Sequence, residues 1–213
     1  ARTYHGGHYD MGYSFCSSGR GGYVVVGSTG NPNSSTPSDL KLWMFEIDES
    51  ADVVWSKTYS HPEGVFGRTV RQNPGGGYIV GAVTAIAMPE RSGLLLLKLD
   101  PDGNIAWQKS NDGEDAEDLG DVNLTTDGYI MAGETSSFGA GSSDAWVLKL
   151  DAEGMISGTC PPGMGEISSL ETVDFPLSVT DVDIASTPTH ATAMDIGSPP
   201  ADSSVESSTQ CSR

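Results

Sequence analysis

The side chains able to do chemistry fall mostly between apolar runs. His5, His8 and Asp10 form an H-x-x-H-x-D pattern, two imidazoles and a carboxylate of the kind that ligates a transition metal. That spacing suits a helix better than a glycine-containing loop, and no fourth ligand is identifiable. Glu114, Asp115, Glu117, Asp118 and Asp121 offer the carboxylate oxygens that calcium takes in sets of roughly six to eight. An acid-rich loop can equally stay solvated. The segment DPDGN (100–104) imitates a calcium loop, but Asp48 and Asp151 hold the same place without the full ligand set, so it reads as a hairpin turn. Tyr9, Phe66 and Phe138 stand in connecting segments, where an aromatic ring can stack on a ligand. No G-x-S-x-G, H-E-x-x-H or phosphate-cradling glycine loop occurs, and paired carboxylates carry no information in so acidic a chain. The expectation is therefore no enzyme and no catalytic residue. Ligand contacts are expected at Tyr9, Phe66, Phe138, His5, His8 and Asp10. Glu114, Asp115, Glu117 and Asp118 form a calcium candidate, and no other cofactor is expected.

The elements that position these residues repeat. Tyr23, Tyr78 and Tyr129 open the runs GYVVVGST, GYIVGAVT and GYIMAGET, and lie 55 and 51 residues apart. A second run follows each, ending at Asp48, Asp100 and Asp151, and after a short turn a third run carries Trp55 or Trp107. In the third copy this run decays to MISGTC, with Gly158 at the tryptophan position. A weaker strand precedes each Gly-Tyr, at 13–18, 68–73 and 121–126. Four short strands recurring at a period of roughly 40–50 residues, joined by Gly/Asp turns, are the pattern of a β-propeller blade. A β-sandwich would leave the three-fold repeat a coincidence. The fold expectation is all-β: a β-propeller of three complete four-stranded blades at about 11–60, 66–111 and 119–160. Trp43, Trp55, Trp107 and Trp146 recur within it, which favours packing roles over sugar stacking.

The ends are irregular. Residues 1–4 align with 56–59, so they read as the edge strand of an incomplete blade. Residues 161–213 form a Ser/Thr/Pro-rich acidic tail containing β-compatible runs at 175–186, 190–196 and 203–211. These would complete a fourth blade with the N-terminal strand, in the same chain or in a neighbour. The string DGYIMAGETSSFGAGSSDAWVLKLD (127–151), with LDPDGNIAWQK (99–109), resembles a bacterial and archaeal family of secreted β-propeller repeat proteins, mostly of unassigned function. The resemblance covers about residues 1–160 and supplies structural positions only. It implies an extracellular or cell-surface location.

Eleven Lys and Arg against 29 Asp and Glu give a net charge of −18, which makes nucleic acid a poor partner. No apolar run is long enough to span a bilayer. Of the three cysteines, Cys160 and Cys211 would form a bridge pinning the tail, of a kind worth about 2–4 kcal/mol, while Cys16 reads as a small buried residue. The functional expectation is an extracellular structural protein that self-assembles into oligomers or filaments, its tail strands completing blades and its partners being copies of itself. The alternative is a carbohydrate- or protein-binding adhesin using the variable loops.

Overall fold

The computed structural model describes residues 2–5, 9–31, 36, 39–84, 91–111, 115–139, 142–156, 171–174 and 178–181. These residues form strands and turns. β1 (Arg2–His5) precedes the first repeat, which contains β2 (Asp10–Ser17), β3 (Tyr23–Thr29), β4 (Lys41–Ile47) and β5 (Val53–Ser60). The second contains β6 (Val65–Gln72), β7 (Tyr78–Thr84), β8 (Gly93–Leu99) and β9 (Ile105–Asn111). The third contains β10 (Glu117–Thr125), β11 (Gly128–Thr135) and β12 (Asp144–Asp151), followed by β13 (Glu171–Asp174) and β14 (Ser178–Asp181).

Each repeat makes one open antiparallel meander: β2-β3-β4-β5, β6-β7-β8-β9 and β10-β11-β12. Their turns share a device. The Oδ1 of Asp100 accepts from the backbone N–H groups of Asp102 (2.9 Å) and Asn104 (2.8 Å). Asp48 does the same for Ser50 and Asp52, and Asp151 for Glu153 and Met155. The aspartates are thus turn-formers. Each first strand also carries a bulge at the same register, at Tyr13, Arg68 and Gly120.

The sheets stack face to face in chain order. β6 packs on β2, β3 and β4, and β10 packs on β6, β7 and β8. Apolar side chains point both ways from the middle sheet. Val70, Tyr78, Val80, Leu95 and Leu97 meet Val24, Val26, Leu42, Met44 and Tyr59 of the first sheet. Ile79, Val83, Leu94 and Leu96 meet Leu119, Val122, Met131 and Leu148 of the third. Gly81 lets the second seam close, since a Cβ there would stand 2.4 Å from Leu119 Cδ2. Polar bonds cross both seams. Tyr59 Oη donates to Gly103 O (2.5 Å), Tyr78 Oη to Ser18 O (3.1 Å), and Thr69 Oγ1 to Asp121 (2.6 Å).

The all-β expectation is met, but the closed propeller is not. No sheet is closed or curled, and the described residues make an open stack. In a ring both end faces would be covered; here Phe15 on the first sheet and Val147 on the third are largely exposed. The third repeat does not form a complete four-stranded blade. Among the described residues only a single bridge, between Leu150 and Ile156, follows β12, and Gly158, at the tryptophan position, lies outside them.

The fourth blade is likewise corrected. β13 adds to the outer edge of β5, making that sheet five-stranded, while β14 pairs with β1 in a separate ribbon. The open edge of β5 is a ready backbone template and takes the nearest tail strand. The two described tail strands are therefore divided between two places instead of joining one sheet, and the expected runs at 190–196 and 203–211 lie outside the described residues. Self-assembly by tail strand complementation accordingly loses its structural basis, and with it the stated structural function. There is no disulfide among the described residues. Cys16 is a free thiol, and Cys160 and Cys211 lie outside them.

Candidate functional site

The tight turns gather at one end of the stack and the longer connections at the other. At the longer-loop end, the seam between the second and third sheets opens into a cleft of about 190 Å³. β6 supplies Phe66 and Arg68, the start of β8 is preceded by Ser92, β10 supplies Glu117 and Asp118, and β11 supplies Glu134. Ser92 fastens the floor. Its Oγ donates to Glu117 O (2.5 Å) and accepts from Glu117 N–H (3.1 Å), tying β10 to the second sheet.

Arg68 is the centre of the site. The bulge on β6 turns it toward the third sheet, where Nη2 donates to both oxygens of Asp118, at 2.7 and 3.0 Å. Its guanidinium lies 4.8 Å from the Phe66 ring centre and 5.8 Å from that of Tyr13, within cation–π range of both. Its Nε is buried and makes no hydrogen bond within the chain. Next on the strand, Arg71 Nη2 reaches both oxygens of Asp121 at 2.6 Å. Glu117 is buried, and its Oε1 accepts from Thr135 Oγ1 (3.1 Å) across the pair β10–β11. Glu134 accepts from Ser143 Oγ.

Three residues singled out from sequence, Phe66, Glu117 and Asp118, converge on this cleft. Phe66 is buried with Arg68 over its face, so it braces the guanidinium instead of offering a stacking surface. Phe138 packs against Trp146 at 5.3 Å and is half-buried. Tyr9 is exposed, beside the start of β2. His5 ends β1, while Asp10 accepts from Thr29 Oγ1 (2.6 Å) within the first sheet, the same arrangement as Glu117 with Thr135. His8 and Glu114 lie outside the described residues. Asp115 is exposed, with its backbone N–H bound to Ser137 Oγ (2.8 Å). Among the described residues no three His, Cys, Asp or Glu side chains gather as a metal site. Glu117 and Asp118 instead serve the strand pair and the arginine.

Sequence reasoning missed Arg68, Ser92 and Glu134. The signal for the first was available: Arg68 and Arg71 are two of only 11 basic residues, placed on one strand where the other repeats carry Tyr13 and Cys16 or Gly120 and Asn123. No helix among the described residues is long and apolar enough to cross a membrane. Comparison with protein-family models and with curated proteins finds no match for this chain, so the resemblance of its repeats rests on their motifs alone.

Proposed function

We infer that the chain is a non-catalytic recognition module that holds one small, neutral, polyhydroxylated group, such as a single pyranose ring, in the Arg68 cleft. The carrying observation is the arginine itself. It lines the cleft with its guanidinium held in place by Asp118 and Phe66, so a charged donor group is already oriented at the border where a ligand hydroxyl would sit. Hydroxyl pairs match the surroundings, because the carboxylates of Asp118 and Glu134 keep lone pairs for charge-assisted bonds and Ser136 adds a hydroxyl.

Size and charge narrow the class. About 190 Å³ is below the ~300–1,000 Å³ typical of drug-sized sites, which suits one ring. A net charge of −18 and three lining carboxylates disfavour phosphates and acidic sugars. The reading includes an extracellular location, which rests on the resemblance of the repeats.

The test is calorimetric titration of the full chain with glucose, galactose, mannose and N-acetylglucosamine. At least one should bind saturably in the millimolar range, as expected for a few hydrogen bonds in a small cleft. Arg68→Ala should weaken it about tenfold or more, while Arg71→Ala, on the same strand outside the cleft, should not. Absence of saturable binding, or equal binding by Arg68→Ala, would overturn the reading.

A further inference from the structure

The outer face of the first sheet is exposed where its counterparts are covered. Tyr23, Tyr78 and Tyr129 hold the same register, opposite Ile47, Leu99 and Leu150. Tyr78 is 0% and Tyr129 4% exposed, each against the tryptophan of the preceding sheet at 6.4 and 6.0 Å, yet Tyr23 is 49% exposed. Phe15, in register with the fully buried Val70 and Val122, is 69% exposed. The other end of the stack is the converse. Ile130 and Val147 occupy the positions of Ile79 and Leu96, which cover the next sheet, but are 37% and 62% exposed.

The outer margin of the first face is already occupied. Tyr4 Oη donates to Ala51 O (2.8 Å) as Tyr59 Oη donates to Gly103 O, and Arg2 meets Asp52 (2.5 Å) as Lys57 meets Asn104. β1 thus sits on the first sheet as β5 sits on the second. Among the described residues no strand lies over the footprint inside β1, which is three strands wide, and the third sheet has three described strands.

We propose that the third sheet of a second copy of this chain docks by its Ile130/Val147 face onto the Phe15/Tyr23 face of the first, continuing the stack head to tail. The contact repeats the two seams already inside the molecule and exchanges no strand. Because the two faces differ, the interface is heterologous.

Light scattering of the full chain tests this in about 0.5 M NaCl, where a Debye length of ~4 Å screens the charge. The mass should rise with concentration from 22.3 kDa to at least twice that. Phe15→Asp and Val147→Asp, both at exposed positions, should each remain monomeric with unchanged circular dichroism. An equimolar mixture of the two should form a 1:1 complex, since each retains the face the other lacks. If either variant misfolds, Tyr23→Asp or Ile130→Asp takes its place in the same design. A monomer at every concentration overturns the proposal, as does association that Val147→Asp leaves intact or a mixture that stays monomeric.

Discussion

Replacing Gly103 by alanine should destabilise the protein by about 2–3 kcal/mol, while replacing Ala51 by glycine should stabilise it. Both residues occupy the same turn position and are left-handed, at φ 78° and 64°. Left-handed backbone costs a residue with a Cβ about 1–2 kcal/mol. Removing glycine's extra freedom from the unfolded chain returns about 0.4–1 kcal/mol. At Gly103 a steric cost adds to this, because a Cβ would lie 3.0 Å from Trp55 Cη2 and 3.1 Å from Tyr59 Oη. Displacing those side chains in the first seam should cost about 1–3 kcal/mol. Ala51→Gly relieves the strain and gives back the chain entropy, for a net gain of about 0.5–1 kcal/mol. In urea, with a slope of about 2 kcal/mol/M, Gly103→Ala should lower the midpoint by about 1 M and Ala51→Gly should raise it by a few tenths. Shifts of the same sign, or a Gly103→Ala midpoint within about 0.2 M of the parent, would refute the reasoning.

Two further outcomes follow from titration. Burial raises the Cys16 thiol to about 11 despite the opposing charge of Arg71. In a Cys160→Ser/Cys211→Ser background it should react with a disulfide reagent at pH 8 roughly 100-fold more slowly folded than in urea; equal rates would place it at the surface. The same raised value means its contribution to stability is intact below the ordinary thiol value near 9 and is lost as pH climbs from there through about 11. For Asp100, burial acts to raise the carboxyl, but hydrogen bonds from Asn104 and from the Asp102 backbone outweigh it and hold it below the usual 3.8. Its stabilisation is present above that value and disappears as pH falls further, so Asp100→Asn should lose less stability than the parent between about pH 4 and pH 2.5. Parallel losses in urea melts would show that this turn is not the source.

The strands were legible because their signals are local. Alternating apolar residues after each Gly-Tyr, and Asp-x-x-Gly turns, act over a few residues, and β7 and β8 follow from them directly. Closure was illegible because it depends on how many faces find partners. Nothing near Phe15 or Val147 in sequence tells a covered face from an open one, so the repeat by itself implies a ring where the described sheets form an open stack. The tail failed for a related reason. Few apolar residues fix its strands to one another, and an open edge at β5 competes for them. The cleft was half legible. Aromatic and acidic residue types mark Phe66, Glu117 and Asp118, which lie at the starts of β6 and β10, but the arginine that joins them reaches the site through a bulge. A one-residue irregularity of that kind changes the direction of a side chain without changing the apolar pattern.

The middle sheet differs from its neighbours in one further respect. Every residue of β7 is buried, and among the described sheets the middle one places residues in both core clusters. In a linear array whose units touch only adjacent units, cooperativity is transmitted through the central one, and opening starts at the ends. Amides of β7 and β8 should therefore exchange with solvent only on global unfolding, whereas those of β1, β14 and β12 exchange through local fraying. The Arg68 cleft joins the kinetically steadiest sheet to a terminal one. A ligand bound there would act as a clasp on that terminal sheet, slowing its release without touching the first seam.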